Sequence, residues 1–180
     1  MGNCSGSVLR PSLRRESCVL VTPDELRRLG IKGLIVDIDN TLVEWNVREL
    51  ARETEEWLSS LRESGIKCCL VSNSLHDART AEFARAAGLP LIARAGKPRR
   101  RSFIKALEIL GTAPCETAVI GDQIFTDILG GNRLGLFTIL IEPRSPREFF
   151  GTRIVRILER LVLWWLGRSN DSTENSTENM

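Results

Sequence analysis

Short apolar runs alternate along the chain with longer stretches in which apolar residues recur every third or fourth position. The runs at 33–39 (GLIVDID), 67–72 (KCCLVS), 91–93, 117–121 (TAVIG) and 136–141 predict five buried strands. Helical periodicity fills the intervals. Thr22, Pro23, Asp24 and Glu25 form a capping box with proline at the first helical position, and Gly30 ends that short helix. A second cap at 46–49 predicts a helix to about residue 64, with Leu50, Trp57, Leu58 and Leu61 on one face. Further helices are predicted at 75–87, at 99–110 with a stripe of Phe103, Ile104, Leu107 and Leu110, at 125–133 and at 148–166. Near-continuous apolar strands joined by helices imply right-handed crossovers and a parallel sheet covered on both faces. The expected class is α/β, a doubly wound parallel sheet in a single domain over 18–167.

The two ends lack this pattern. Residues 1–17 are expected to be a flexible leader. Residues 168–180 repeat Ser-Thr-Glu-Asn twice with no apolar side chain before Met180, which predicts a disordered acidic tail. The 180 residues are 42% hydrophobic and 27% charged, ordinary globular material. The longest apolar stretches, 134–141 and 161–166, fall far short of the ~20 residues a membrane span needs. Net charge is +2, but tail residues 169–180 carry three acids and no base, so the remainder stands at +5. The excess gathers in two clusters: Arg94, Lys97, Arg99, Arg100, Arg101 and Lys105, then Arg144, Arg147, Arg153, Arg156 and Arg160. Such a body suits an anionic partner. Five cysteines without Cys-x-x-Cys spacing and a single His76 support neither a disulfide framework nor a zinc site. With no apolar secretory signal near the start, a cytoplasmic location is expected.

In a doubly wound sheet the ligand site lies beyond the carboxyl ends of the strands. Asp37, Asp39, Asn40 and Thr41 end the first predicted strand, and Ser72 and Asn73 end the second. Gly96 and Lys97 follow the third; Gly121 and Asp122 end the fourth, with Asp127 five residues on. Asp37 and Asp39 are two apart, so an extended strand would point both carboxylates to one side. Four carboxylates in one crevice would destabilise the fold unless a cation offset them. Oxygen ligands without His or Cys suit Mg²⁺, which favours a phosphate ligand in turn.

These residues, in this order and spacing, resemble the four-motif set of the haloacid dehalogenase (HAD) superfamily across residues 31–141. The resemblance implies a HAD-like Rossmannoid fold and a phosphatase that works through an aspartyl-phosphate. It implies that Asp37 is the nucleophile, Asp39 the general acid and base, and Thr41 the residue that holds the loop and orients Asp37. Ser72 and Asn73 would bind the substrate phosphate with Lys97, which would also offset charge on the intermediate. Mg²⁺ would be held by Asp37, Asp39 (through its main-chain carbonyl) and Asp122, with Asp127 orienting a ligand or water.

Only 30 residues separate Thr41 from Ser72 and 24 separate Ser72 from Lys97, so no cap domain fits either interval. Capless members resemble enzymes that act on macromolecules or lipid head groups. The stretches LIVDIDNTLV, VSNS, AGKP and GDQIFTD are most similar to the subfamily IIIA type known as YqeG-like, related to phosphatidylglycerophosphate phosphatases. The expected reaction is therefore Mg²⁺-dependent hydrolysis of a phosphomonoester, phosphatidylglycerophosphate first. The alternatives are another substrate (a nucleic-acid end, a phosphoprotein or a soluble metabolite) and a non-enzymatic binding module.

Plainer readings attach to several residues. Aspartates at strand ends commonly cap turns, and a basic helix start can be no more than a solvated surface. Three arginines at a helix N-terminus nevertheless oppose the helix dipole and imply an anion nearby. The basic cluster at 94–105 lacks the interleaved aromatics of a single-strand platform, which argues against a nucleic-acid partner. In the final predicted helix, Ile154, Ile157, Leu158, Leu161 and Trp165 form a stripe flanked by Arg153, Arg156 and Arg160. That is the makeup of a helix for peripheral membrane contact, or of one packed on the sheet.

Overall fold

The computed structural model describes residues 8–43, 49–74 and 77–142. Six strands form one wholly parallel sheet: β1 (Leu13–Arg15), β2 (Gly33–Val36), β3 (Lys67–Val71), β4 (Leu91–Ile92), β5 (Thr117–Gly121) and β6 (Phe137–Ile141). Their spatial order is β1-β6-β5-β2-β3-β4. The chain builds one half from β2 through β3 to β4, then returns to the other side of β2 for β5 and β6. This reversal sets the crevice between β2 and β5, where open α/β sheets bind ligands.

The apolar runs form strands because both of their faces are buried. Leu34 and Val36 of β2 join a core layer with α1 (Pro23–Arg28), α2 (Arg52–Glu63) and Phe83 of α3 (Asp77–Ala87). Ile35, between them, faces a second layer with Phe103, Ala106 and Leu110 of α4 (Arg100–Leu110). Helices thus cover both faces, as the strand pattern requires. The N-cap at Thr22 forms, its hydroxyl accepting the Glu25 N–H at 3.2 Å, while the Glu25 carboxylate pairs with Arg15. Trp57 is buried, and its ring N–H donates to the Val21 carbonyl at 2.8 Å.

Four expectations are corrected. Part of the expected flexible leader is a strand: Leu13–Arg15 lies at the edge of the sheet. The Ser12 N–H donates to the Thr138 carbonyl at 2.9 Å, and the Asn132 side-chain amide holds the carbonyls of Val8 and Arg10. Backbone pairing with β6 holds this segment, Leu13 packs against the core, and two arginines suit an edge. Helix α2 starts at Arg52 behind Ala51, which offers no side-chain cap; of the expected cap only Glu49 lies within the described residues. On α4 the buried stripe runs through Phe103, Ala106 and Leu110, while Ile104 turns to solvent. The helix expected at 125–133 is instead a π-helical turn (Ile124–Ile128) followed by α5 (Leu129–Asn132). There Gly130 admits the Phe103 ring, to which a methyl group would stand 2.3 Å away. The final helix at 148–166, the tail, and residues 75 and 76 lie outside the described residues.

Candidate active site

Strand β2 ends at Val36, and the Asp37 N–H still reaches the Ile120 carbonyl of β5 at 3.0 Å. Beyond it the chain turns. The Ile38 carbonyl accepts from Leu42 and Val43 at 3.0 and 3.2 Å, and Asn40 sits at φ 59°, a conformation that asparagine tolerates. The carboxylates of Asp37 and Asp39 find different partners.

Asp37 and Asp127 meet at Lys97. The Lys97 ammonium donates to Asp37 Oδ1 at 2.6 Å and to Asp127 Oδ1 at 2.7 Å, and all three side chains are buried. The second oxygen of Asp127 accepts from the Gln123 N–H and the Thr126 hydroxyl, at 3.4 and 3.1 Å. Asp37, Asp122 and Asp127 each place an oxygen so that the three lie within 4.8 Å of one another. Burial, with Lys97 opposing it and the Asp127 and Asp122 charges adding to it, pushes Asp37 up to about 8. Burial and Asp127 push Asp122 to about 7 against a hydrogen bond from Asn40. For Lys97, burial works against the charged form, but Asp127 and Asp37 prevail and hold it above the usual lysine range.

One lysine cannot balance three carboxylates. The buried Asp122 Oδ1 has no hydrogen-bond partner among the described residues. An all-oxygen set with surplus negative charge and an unpartnered carboxylate oxygen fits a hard divalent cation such as Mg²⁺.

Four further expected residues stand at the same strand ends. Asp39 stands outside the three-carboxylate group and pairs through Oδ1 with Arg79 of α3. Ser72 is buried, and its hydroxyl accepts the Ser74 N–H at 3.0 Å. Asn73 spans the Lys97 main chain: its carbonyl oxygen accepts the Lys97 N–H at 2.8 Å, and its amide donates to the Lys97 carbonyl at 3.1 Å. Its side chain thus holds the lysine loop. The Thr41 hydroxyl is buried and makes no hydrogen bond among the described residues. Arg79 and Thr126 were not expected in the site, and Asn40, expected at its rim, had been given no part. Asn40 carries a signal in its tolerance of positive φ; Arg79 and Thr126 carry none.

Comparisons with known proteins point to one family. Residues 45–135 match the family model described as haloacid dehalogenase-like hydrolase. The chain is 40% identical over 148 residues to the probable phosphatase YqeG of Bacillus subtilis, an alignment covering 82% of this chain and 86% of that protein. It is 30% identical over 152 residues to the chloroplastic phosphatidylglycerophosphate phosphatase 1 of Chlamydomonas reinhardtii, covering 79% of this chain. There the match spans about half of the relative, 55% of its length. Among solved structures, an uncharacterized protein from Listeria monocytogenes serotype 4b shares the fold, with a TM-score of 0.52 at 18% identity, covering 66% of this chain and 86% of that one.

Proposed function

Because the chain belongs to the haloacid dehalogenase-like hydrolase family, as a phosphatase, we propose that it removes the terminal phosphate of phosphatidylglycerophosphate through a phosphorylated Asp37. The observation that carries the chemistry is the Lys97 ammonium shared between Asp37 and Asp127 beside Asp122, at the carboxyl rim of the sheet. The substrate assignment is supported by the chloroplastic relative's name and by strand connections too short to hold a cap domain over a bulky lipid.

In this reading an Asp37 oxygen attacks phosphorus, and the bond from phosphorus to the leaving alcohol breaks as Asp39 gives that oxygen its proton. Asp39 then takes a proton from water. The water oxygen attacks the phosphoryl group, releasing inorganic phosphate and restoring Asp37. Lys97 offsets the charge on Asp37 before attack and on the phosphoryl group after it, while the Ser72 hydroxyl grips a phosphoryl oxygen. Asn73 holds the Lys97 main chain in place. Asp37, Asp122 and Asp127, with the Asp39 main-chain carbonyl, would hold Mg²⁺, which supplies positive charge at the phosphoryl oxygens.

We assign lipid contact to the segment 148–166, on the strength of its Trp-bearing apolar stripe and basic flank. No helix among the described residues is long and apolar enough to cross a membrane. The enzyme would then be cytoplasmic and peripheral to its lipid.

The test is phosphate release in Mg²⁺ from phosphatidylglycerophosphate in mixed micelles, against glycerol 3-phosphate, a phosphopeptide and a phosphorylated oligonucleotide, with Asp37→Asn as control. The lipid should be the best substrate by kcat/KM. A soluble phosphate or an oligonucleotide turned over faster would overturn the lipid assignment while leaving the phosphatase.

A further inference from the structure

Asp39 has its peptide fixed by the turn after β2, yet its carboxylate rotates about a broad, roughly two-fold torsion. Acid and base work needs one oxygen aimed at the reacting centre throughout the cycle. The structure supplies a restraint from a distant element. Arg79, forty residues along the chain on α3, donates through Nη2 to Asp39 Oδ1, and the two side chains are only 13% and 11% exposed. The guanidinium is itself held from behind. Its carbon lies 5.5 Å from the centroid of the Phe83 ring, one helical turn on, and Phe83 belongs to the apolar core. A rigid chain of contacts thus runs from core to Phe83, to Arg79, to Asp39.

Stability gives little reason for such a pair. A buried ion pair is commonly no better than a well-packed apolar one, because both charges lose their water. Position gives a better reason. Asp39 stands next to a cluster of three carboxylates that excludes its own. Once Asp39 has given up its proton, a fourth carboxylate there would be repelled, and without a cation of its own it would swing away. Arg79 supplies that cation and occupies Oδ1, leaving Oδ2 outside the ion pair.

We propose that Arg79 is a positioning residue for the reaction, fixing the Asp39 carboxylate so that Oδ2 meets the leaving-group oxygen and then the hydrolytic water. This rests on the phosphatase reading given above and adds to it a residue on α3 that touches neither phosphorus nor the attacking atom.

The role predicts dependence on the leaving group. Transfer to Asp37 requires a proton when the leaving group is an alkoxide, and hardly any when it is p-nitrophenolate. kcat/KM reports the steps up to this transfer. Arg79→Gln should lower kcat/KM on glycerol 3-phosphate by about 30-fold or more, but on p-nitrophenyl phosphate by less than about 5-fold. Arg79→Lys, which keeps the charge without the fork, should fall between. On the alkyl phosphate, Asp39→Asn combined with Arg79→Gln should be no slower than Asp39→Asn alone. Equal losses on both substrates, or losses that add in the double variant, would overturn the proposal and leave Arg79 a structural support. A rise in KM at unchanged kcat would overturn it too, in favour of direct substrate binding. Melting temperatures of the variants are measured alongside; should Arg79→Gln fail to fold, Arg79→Lys reads the same substrate ratio. Mass spectrometry of quenched wild-type enzyme separates the two readings. Without phosphate on Asp37 the reaction scheme itself fails; with it, a loss independent of leaving group removes Arg79 alone.

Discussion

A methyl group on Gly121 would stand 2.4 Å from the carboxylate carbon of Asp127. Strand β5 thus ends on glycine because Asp127, returning from the π-helical turn, lies against its backbone to reach Lys97. Gly121→Ala must move either the strand end or the carboxylate. It should cost about 1–3 kcal/mol of stability, as overpacking does, and turnover should fall with it. Urea unfolding and phosphate release check both; wild-type values in both would show that Asp127 can shift freely.

Asp37 lies in a cluster where its charge is opposed by burial and by two neighbouring carboxylates. Asp37→Asn removes the charge and keeps the shape. Turnover should fall to about a thousandth of wild type or less, as when a nucleophile is lost, while the melting temperature without metal should hold or rise. Activity within a few-fold of wild type would remove the aspartyl-phosphate.

The same charges set the pH dependence of the metal-free protein. Folding raises Asp37 to about 8 and Asp122 to about 7 from an ordinary 3.8, so between these limits the native state binds more protons than the unfolded one. Stability must then fall as pH rises through that window. Lys97, held above its ordinary range, stays charged throughout and adds no slope there. Melting in a chelator should therefore be lower at pH 8 than at pH 5.5. Mg²⁺ should raise it more at pH 8, where the ligands must otherwise ionise unaided. A flat profile in chelator, or a larger Mg²⁺ effect at pH 5.5, would contradict the charge surplus.

Strands β2 to β6 could be read from the sequence because burial on both faces writes them as apolar runs. The site followed, since its aspartates and lysine stand just beyond those runs. Leu13–Arg15 was invisible because one apolar side chain, Leu13, meets the core, and the rest of its hold is main-chain pairing that leaves no period in the side chains. Ile104 and Ala106 exchanged roles because the apolar stripe fixes a helix face only to within one position. Arg79 could not be found at all. An arginine on a helix is ordinary, and its pairing with Asp39 is a product of tertiary packing.

Asn73 can be found in the sequence, but its bonds to the Lys97 main chain cannot. The motif places it beside Ser72, where a side-chain amide could face a phosphate. Its orientation is decided by the Lys97 loop, whose N–H and carbonyl both bond to it. The two parts predict different kinetics. A phosphate ligand, once removed, should raise KM and weaken inhibition by inorganic phosphate. A clamp on the lysine loop should mainly lower kcat, because Lys97 loses its alignment between Asp37 and Asp127. Asn73→Ala is therefore expected to reduce kcat by about 10-fold or more with KM and phosphate inhibition within about 3-fold, and to cost about 1 kcal/mol of stability for the lost hydrogen bonds. Asn73→Asp keeps an acceptor for the Lys97 N–H but loses the donor to its carbonyl, and adds a charge near three others. It should be slower than the alanine variant at pH 8. A raised KM at unchanged kcat in Asn73→Ala would return the residue to the phosphate.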